Sequence, residues 1–585
     1  MTGHAIAITI GSVQSLVAAA RRTKDLWFGS HLISEMSKAM AKVVAGSGRL
    51  VFPAVDDSTL NNLDPAPRDT SAFNVSNIIL AILEDGIDPV ILKDEAIKAA
   101  KSILDYYANK LNETWIDQDI WNSQVSDLVS FHAAWVPFGG EQTWDKTRKR
   151  LMRLLSARKA LRDFKPAKGK TNVPKCSLCG ARESVLSTNE DTRARLRADP
   201  AFRLREGEEI CALGLIKRNV KVSFPSVSRI AMQAWVKANF NENNKTGKFL
   251  QDLNNLLQEN HPSFAPGTGD YYENLKFDLE FLYPSRMEQM IVEFESLQGK
   301  TDDLKILGEI KELMESARIS EPTSYYAVIL GDGDRMGKII SSIETPTDHR
   351  AFSLKLAEFT DKAKQIVNKN DGVVIYAGGD DVLALAPVHN AIEITKLLSQ
   401  QFSNDLSGFK GNGEMTFSAG IVIAHVLEPL NVVLDWARKA ERDAKEPDRN
   451  GLAIHLYSRS GSPLQCKFKW TEFLLDGTKG DIISHLVHLI KDAALPSGIP
   501  YALQDVVNFY QKIIENGDNI DILKKDVLKI LSRKGIKPGK KEEIEDFILN
   551  LLQLDGRKMK RSLNGVKAML VARHVAQVVE TSTEE

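Results

Sequence analysis

Cysteine is scarce in this chain, with four among 585 residues. So few thiols exclude a disulfide-stabilised scaffold, because such scaffolds place many cysteines in a short secreted chain. The usage fits a reducing compartment, and cysteines that lie close together are better interpreted as metal ligands or as chance neighbours. We therefore expect a cytoplasmic protein.

Long apolar runs and an excess of one charge are also missing. No stretch reaches the roughly 20 apolar residues that cross a bilayer, and the N-terminus lacks the charged start and apolar core of a signal peptide. We accordingly predict no membrane contact. The formal net charge is -1, so no global basic field indicates nucleic acid, and any such contact has to be local or made through partners.

The composition that is present is typical of a large globular protein. Hydrophobic residues make up 43% and charged residues 26% of the chain, and its length predicts about three to five domains. The first third is predicted to contain a strand at 5–10, a helix at roughly 13–45, a loop at 53–77, helices to about 164 and a linker at 165–175. Helices are predicted again from 222 to 318, with a break at 261–270, and from 470 onward.

The segment 324–460 has the clearest pattern. Its predicted elements, in order, are strand 324–330, helix 351–369, strands 372–377 and 382–388, helix 390–404, strand 415–425, helix 430–446 and strand 451–458. This order predicts a βαββαβ unit with an added αβ pair. In such a unit the third strand lies between the first two, so the end of the first strand meets the turn that joins the second and third.

That turn is Gly378-Gly379-Asp380-Asp381, and the first strand ends at Asp332. A turn alone explains Gly and Asp, which are common turn residues, but two adjacent carboxylates repel each other unless a cation lies between them. Carboxylates from distant parts of the chain are therefore expected at one sheet edge, where Mg²⁺ or Mn²⁺ binds oxygen ligands and substrate phosphates. Two such ions about 3.5–4 Å apart stabilise the attacking and leaving oxygens in phosphoryl transfer.

We predict that Asp332 and one of the paired aspartates are metal ligands, with Asp381 or Asp334 completing the site. The carbonyl of Gly333 is a further candidate contact, and glycines 378–379 would allow the backbone to approach a nucleotide closely. For any single aspartate here, a turn or a helix cap is the competing interpretation. The convergence of several is what favours a metal site.

Two further stretches make the pattern recognisable. The Gly-Gly-Asp-Asp turn resembles the palm of nucleotide cyclases and of GGDEF-type diguanylate cyclases, and GDGDRMGK at 331–338 matches their first carboxylate motif. WARKAERDAKEPDRNG at 436–451 resembles their late helix, whose Lys445 would meet the triphosphate. IGSVQSLVAAARRTKDLWFGSHLISEM at 10–36 resembles the opening of the large subunit of type III-B CRISPR (Cmr) effector complexes.

This resemblance implies an α+β fold with two ferredoxin-like palm (nucleotide-cyclase-like) domains, a zinc-finger-like insert and helical domains. The implied boundaries are an N-terminal degenerate palm at 1–165, the insert at 166–221, a helical domain at 222–320, the catalytic palm at 321–468 and a C-terminal helical bundle at 469–585. The N-terminal palm would help to hold a second ATP, with Ser30 as a contact. The alternative for Ser30 is an N-cap or packing serine.

The resemblance also implies a function. Target RNA that pairs with a guide crRNA would switch on conversion of ATP to cyclic oligoadenylate by metal-dependent nucleotidyl transfer, with other Cmr subunits as partners. Two alternatives stay open, namely a catalytically idle scaffold that clamps guide and target RNA, and a diguanylate-cyclase-like signalling enzyme. Basic stretches at 524–541 and 556–561 could touch RNA, although such runs are usually solvated faces.

The expected zinc module is incomplete. Cys176, Cys179 and Cys211 lie where the family carries its zinc ligands, but Gly214 occupies the fourth position, and no histidine occurs in 171–220. Structural zinc is almost always four-coordinate. A carboxylate ligand, a distant thiol and no zinc at all therefore remain open, and the candidate side chains are Glu208, Glu209 and Cys466.

The chain also lacks a sign of the HD nuclease domain with which many family members begin. No His-Asp dipeptide occurs anywhere, and the reverse order, at Asp348-His349, is better interpreted as the start of a helix. We therefore predict no DNA-cutting activity from this chain.

Overall fold

Two β-sheets surrounded by helices form the frame of the protein, so the predicted α+β class is confirmed. The computed structural model describes residues 3–583 apart from short segments. Those segments are 12, 57–58, 67–73, 112, 162–168, 171, 200–201, 203, 258–261, 265–266, 298–299, 320–321, 410–414, 460, 476–479, 514–519 and 555–558.

The first sheet has four antiparallel strands in the order β2-β3-β1-β4. They are β1 His4–Ile10, β2 Gly48–Phe52, β3 Ile78–Leu83 and β4 Phe131–Pro137. The helices that connect or follow them are α1 Val13–Ala18, α2 Thr23–Ala45, α3 Pro89–Ala108, α4 Gln118–Ser126 and α5 Trp144–Ala160. Because the first strand lies between the third and the fourth, the sheet has the ferredoxin-like βαββαβ order.

Both faces of this sheet are covered, because alternate residues of a strand point to opposite sides. On one side Ile6 and Ile8 of β1 pack in a core with α2 and α3. On the other side Ala5 and Ala7 pack in a smaller core with Trp144 of α5. The apolar run in β1 is therefore explained by a strand that is buried on both faces.

The second sheet has six strands in the order β10-β9-β8-β5-β7-β6. They are β5 Tyr325–Gly333, β6 Val373–Gly378, β7 Asp381–Pro387, β8 Phe417–His425, β9 Gly451–Tyr457 and β10 Leu464–Lys469. Its helices are α12 Met336–Ser342, α13 Pro346–Lys369, α14 Val388–Asp405 and α15 Leu430–Ala444. The first four strands repeat the order of the first sheet, as the sequence pattern predicts, and β9 joins β8 in parallel.

The remaining helices lie between the sheets in sequence and after the second one. Between them are α6 Glu190–Ala198, α7 Ala212–Asn219, α8 Val227–Asn239, α9 Lys245–Leu257, α10 Pro284–Glu295 and α11 Thr301–Ala317. After it come α16 Trp470–Phe473, α17 Ile482–Lys491, α18 Ile499–Ile513, α19 Ile520–Arg533, α20 Lys541–Leu551 and α21 Met559–Thr583. Within the described residues, none of the helices combines the length and the apolar character needed to span a bilayer.

Two predictions about the N-terminal region are incomplete. Helices predominate between residues 78 and 164, as predicted, but the prediction missed β3 and β4, which this stretch contributes to the first sheet. The helix predicted at 13–45 is two helices, and the buried ammonium of Lys217 donates to the carbonyls of Val17 and Ala19 where the first one ends. A tertiary contact that the local pattern does not encode therefore takes up the free carbonyls at this break.

The two sheets are joined through α13, which packs against β2. Arg350 of α13 donates hydrogen bonds to the carbonyls of Leu50 and Val55. The amide of Ala54 donates to Ser353 Oγ at 2.8 Å. These contacts tie the end of β2 to the helix that precedes the Gly-Gly-Asp-Asp hairpin.

Candidate active site

The end of β5 lies against the tip of the β6–β7 hairpin, and glycine makes this approach feasible. The amide of Gly333 donates to the carbonyl of Asp380 at 3.2 Å. A Cβ atom at position 333 would come within 2.5 Å of the Phe402 ring and 2.9 Å of the Asp380 Cβ. A residue with a side chain could not keep this contact without moving the strand end.

The hairpin itself is a two-residue turn. Gly378 pairs with Asp381, so Gly379 and Asp380 are its central residues. Gly379 has φ +68°, and glycine at the first central position with positive φ is typical of a type II′ hairpin turn. In β6, just before the turn, the hydroxyl of Tyr376 donates a hydrogen bond to the carbonyl of Gly378 at 3.1 Å.

These local features bring Asp332, Asp380 and Asp381 together. One carboxylate oxygen from each lies within 4.8 Å of the other two. Ligands of a single octahedral Mg²⁺ lie at most about 4.2 Å apart, so small side-chain rotations would allow the three to share an ion. Oxygen donors of this kind fit a hard divalent cation such as Mg²⁺ or Mn²⁺. We call these three residues the acidic cluster.

The protonation of the acidic cluster fits a cation site. Burial and the charge of Asp332 raise the pKa of Asp380 to about 7. Burial, the hydrogen bond with Asp332 and the charge of Asp380 raise the pKa of Asp381 to about 9. Asp381 is nevertheless exposed at the hairpin tip, so repulsion among the carboxylates is the firmer cause of its shift.

The pKa of Asp332 shifts in the opposite direction. Burial by itself would raise its pKa, but hydrogen bonds from Asp381 and Lys445 outweigh burial and lower the pKa. The three carboxylates therefore titrate as a unit that retains a proton near neutral pH. A divalent cation would relieve the same repulsion that now holds this proton.

Lys445 reaches the acidic cluster from α15. Its Nζ contacts Asp332 Oδ2 and Glu441 Oε1. Burial by itself would lower the pKa of Lys445, but the hydrogen bonds to these two carboxylates outweigh burial and raise it. The ammonium group therefore stays charged beside the strand end. Sequence reasoning missed Glu441, although its i,i+4 spacing to Lys445 is a helical pairing signal.

Asp334 does not join the acidic cluster. Its side chain is 3% exposed and accepts hydrogen bonds from Thr416 Oγ1 at 2.8 Å, from Ser418 Oγ at 2.8 Å and from the amide of Asn450 at 2.9 Å. The carboxylate therefore ties the loop after β5 to β8 and to the start of β9. A nucleotide contact by Asp334 remains a prediction, and these partners belong to parts of the chain that its local motif does not reveal.

Ser30 lies inside α2, which begins at Thr23, so it is not an N-cap. Its side chain is 6% exposed, and Trp27 and His31 of the same helix stack with ring centroids 4.6 Å apart. Helix α2 packs against β6, the strand that leads into the Gly-Gly-Asp-Asp turn. The helix of Ser30 is thus close to the second sheet, and its contact with a ligand remains a prediction.

The three cysteines form a second candidate metal site. One Sγ from each of Cys176, Cys179 and Cys211 lies within 4.8 Å of the other two, and the Sγ atoms of Cys179 and Cys211 are 3.9 Å apart. Two thiolates on a tetrahedral zinc, each about 2.3 Å from the metal, lie about 3.8 Å from each other. The thiols therefore fit three corners of a zinc site.

The three side chains considered for the fourth corner are occupied elsewhere. Glu208 accepts hydrogen bonds from Arg218 at 2.6 and 3.1 Å, and Glu209 accepts from Arg193 at 2.8 and 3.2 Å. Cys466 lies in β10 and packs in the core of the second sheet. Among the described residues, no fourth His, Cys, Asp or Glu joins the three thiols.

Two protein-family models match this chain. The model for the second palm domain of Cas10/Cmr2 matches residues 325–453, and the model for the N-terminal part of the CRISPR-associated protein Cmr2 matches residues 5–118. In these two ranges the chain resembles the Cas10/Cmr2 family. The range matched to the second palm contains the acidic cluster and Lys445, and the N-terminal range contains Ser30.

Curated relatives carry the same family name. The chain is 26% identical over 561 residues to the CRISPR system Cmr subunit Cmr2 of Pyrococcus furiosus, covering 78% of this chain and 61% of that protein. It is also 26% identical over 156 residues to the CMR subunit Cmr2 of Saccharolobus solfataricus, covering 24% of this chain and 14% of that protein. The chain thus spans less than two thirds of the length of these relatives.

Solved structures with a similar fold include chains of type III-B Cmr-beta assemblies. The apo type III-B Cmr-beta cryo-EM structure contains a chain that matches with a TM-score of 0.61 and 13% identity, covering 92% of this chain and 78% of that one. A matching chain in Cmr-beta bound to cognate target RNA has a TM-score of 0.61 and 14% identity, with 92% and 79% covered. At these identities the likeness concerns the fold.

Proposed function

We propose that this chain is the subunit of an RNA-guided type III CRISPR effector complex that makes cyclic oligoadenylate from ATP. Its partners would be the other Cmr subunits, the guide crRNA and the target RNA, and target binding would switch the reaction on. The similarity to Cmr2 proteins supports the assembly, because these relatives are named as Cmr subunits. The convergence of Asp332, Asp380 and Asp381 is the observation that carries the proposed chemistry.

In this reaction, the 3′-hydroxyl of one ATP loses its proton to solvent and its oxygen bonds to the α-phosphorus of another ATP. The bond from that phosphorus to the bridging oxygen breaks, and pyrophosphate leaves. The same transfer between the two ends of one oligoadenylate closes the ring. The acidic cluster would hold Mg²⁺ or Mn²⁺, which when bound neutralises charge on the phosphates. Lys445, charged and anchored by Glu441, would orient the triphosphate. Glycines 378–379 would let the hairpin backbone lie close to the nucleotide, so that catalysis rests on positioning and electrostatics.

The test uses the assembled complex with guide and target RNA. Mass spectrometry of the product made from ATP is compared between the wild type and a variant that combines Asp380→Ala and Asp381→Ala. We expect cyclic oligoadenylate from the wild type and none from the variant, with unchanged assembly in both. Asp64→Ala is the matched control, because Asp64 is an exposed carboxylate in the connection between β2 and β3.

Other outcomes would assign other functions. A wild-type complex that assembles on target RNA but consumes no ATP would be a scaffold, and the catalytic proposal would be wrong. A complex that converts GTP in preference to ATP would favour the diguanylate-cyclase-like alternative. Equal turnover by the wild type and the variant would remove the acidic cluster from the mechanism.

We also propose that Cys176, Cys179 and Cys211 hold one zinc ion. The spacing of the three Sγ atoms supports this proposal, and zinc would supply a cross-link between the loop at 176–180 and the start of α7. Elemental analysis of the purified chain should find about one zinc per chain, and Cys211→Ser should lose it. Cys466→Ser is the matched control and should retain the metal, whereas a wild type without stoichiometric zinc would contradict the proposal.

A further inference from the structure

Helix α5 has a buried face and a strongly basic exposed face. Its buried residues are Trp144, Thr147, Arg148, Leu151 and Leu155. The helix carries one acidic residue, Asp145, and its cations are Lys146, Arg148, Lys149, Arg150, Arg153, Arg158 and Lys159. A helix with this excess of positive charge is unexpected in a chain whose formal net charge is -1.

Four of the cations form a stripe opposite the buried face. Lys146, Lys149, Arg150 and Arg153 follow i, i+3, i+4 and i+7 spacing, which places them on one side of a helix, and all four are exposed. Lys149 pairs with Asp145 at 2.9 Å. The other three form no ion pair with any described residue. We call these four residues the basic stripe.

The C-terminal basic region is organised differently. Its helix α19 contains exposed Lys525 and Lys529, but also Asp521 and Asp526. Asp526 additionally accepts a hydrogen bond from the hydroxyl of Tyr510 at 2.6 Å. Charges of both signs therefore mix on α19, as on an ordinary solvated face, whereas α5 carries seven cations and a single carboxylate, Asp145.

The buried side of α5 contacts the segment that leaves the acidic cluster. Arg148 donates hydrogen bonds to the carbonyls of Ile340 and Ser341. These carbonyls belong to α12, which begins at Met336, shortly after β5 ends at Gly333. The basic stripe is therefore on a helix whose buried side contacts α12, the helix that follows β5.

We propose that the basic stripe binds the phosphodiester backbone of an RNA strand. With a helical rise of about 1.5 Å per residue, Lys146 and Arg153 are about 10 Å apart along the axis, so the four cations form a row long enough to contact several phosphates of one strand. Unpaired Arg and Lys side chains in a row fit successive phosphates, since each can donate charge-assisted hydrogen bonds. The choice of RNA over DNA rests on the proposed function, in which the assembly holds guide and target RNA.

The experiment measures fluorescence anisotropy of a short labelled single-stranded RNA with the purified full chain across a salt series. The test variant combines Lys146→Gln, Lys149→Gln, Arg150→Gln and Arg153→Gln. Losing four phosphate contacts should reduce the slope of log affinity against log salt by about 3, since each contact contributes about 0.7 for single strands. At about 50 mM salt the affinity should fall roughly tenfold or more.

Two variants serve as controls. Neutralising the same number of exposed cations on and after α19, by Lys525→Gln, Lys529→Gln, Arg533→Gln and Lys534→Gln, should leave the slope unchanged. A stripe variant that keeps the charge, with Lys146→Arg, Lys149→Arg, Arg150→Lys and Arg153→Lys, should bind like the wild type. Circular dichroism and the melting temperature verify that all variants fold.

The remaining outcomes would overturn the proposal. They are an unchanged slope in the stripe variant, an equal loss in the α19 variant, tighter binding of DNA than of RNA, and competition by poly-glutamate as strong as by unlabelled RNA. The last result would assign the face to an acidic protein. Because anisotropy needs neither ATP nor turnover, failure here is distinguishable from failure of the proposed nucleotidyl transfer.

Discussion

The two sheets share a strand order but differ in what stands at the end of the first strand. In the second sheet, Asp332 of β5 lies opposite Ser418 of β8. At the equivalent place in the first sheet, Thr9 of β1 lies opposite His132 of β4. There the side-chain amide of Asn77 donates to the carbonyl of Ile10 at 2.9 Å. The described partners of this strand end, His132 and Asn77, thus carry no negative charge.

The connections between the second and third strands differ as well. In the second sheet two residues, Gly379 and Asp380, make the turn, whereas in the first sheet residues 53–77 connect β2 and β3. The same frame therefore supports a carboxylate cluster only where a tight turn carries acidic residues to the strand end. The capacity to bind a cation therefore depends on a few side chains, because the strand order that the two sheets share does not by itself create a carboxylate cluster.

The largest effect on activity should come from single substitutions at the two equivalent strand ends. Asp332→Ala should lower metal-dependent ATP consumption by roughly 100-fold or more, because it removes a ligand and leaves two repelling carboxylates. Thr9→Ser, at the matching position in the first sheet, should change this rate less than about twofold. Rates of the assembled complex with target RNA provide the measurement, and similar rates for the two variants would contradict the contrast between the sheets.

A smaller effect is expected at Lys445, which contacts Asp332 at the end of β5 in the second sheet. Lys445→Gln should raise the KM for ATP and lower kcat/KM by roughly tenfold, since a charge-assisted hydrogen bond to phosphate is lost. Lys439→Gln is the control, because Lys439 is an exposed cation of the same helix. Steady-state kinetics at varied ATP decide the matter, and a KM that does not move would remove Lys445 from the binding of triphosphate.

The close approach of β5 to the hairpin is tested by Gly333→Ala. The added Cβ has to displace the Phe402 ring or Asp380, so we expect a loss of about 1–3 kcal/mol in the free energy of unfolding together with lower activity. Gly337→Ala is the control, because a Cβ at 337 meets nothing within 4 Å. Urea denaturation compares the two variants, and equal stabilities would show that the strand end tolerates a side chain.

The smallest effect concerns the contact between the sheets and depends on pH. His349 of α13 packs edge-on against Trp144 of α5 with ring centroids 5.9 Å apart, and burial and the charge of Arg148 lower its pKa to about 4. In the unfolded chain the imidazole of His349 takes up a proton near pH 6.5. The contribution of neutral, buried His349 to the free energy of unfolding is therefore complete above pH 6.5 and is lost as the pH falls towards 4. The loss should be on the order of 3 kcal/mol.

His349→Phe should therefore weaken the acid destabilisation measured by melting temperature between about pH 7 and pH 4.5. His488→Gln is the control, since the side chain of His488 is 66% exposed. A wild type and a His349→Phe variant with the same pH dependence would show that this contact between the sheets does not titrate as described.

The sequence predicts the second sheet well because its signals are local. Apolar runs separated by the two-residue turn at Gly379-Asp380 define a hairpin, and the βαββαβ order then predicts that Asp332 meets its tip. The structure shows this convergence, while the catalytic roles remain predictions.

The first sheet was harder to predict because its pairing is non-local. The apolar run of β3 could belong to a strand or a buried helix, and its partner β2 precedes it by the long connection at 53–77. Likewise, the local motif groups Asp334 with Asp332, yet the hydrogen-bond partners of Asp334, Thr416 and Asn450, lie far along the chain. Local patterns do not indicate which way a carboxylate turns when distant donors compete for it.

The most direct test of the acidic cluster is a measurement of Mn²⁺ binding by electron paramagnetic resonance, with a non-hydrolysable ATP analogue present. The full chain should bind Mn²⁺ stoichiometrically, and a variant that combines Asp332→Ala, Asp380→Ala and Asp381→Ala should lose this binding while keeping its fold. Binding of the same stoichiometry and affinity in both proteins would contradict the claim that these three carboxylates form a cation site.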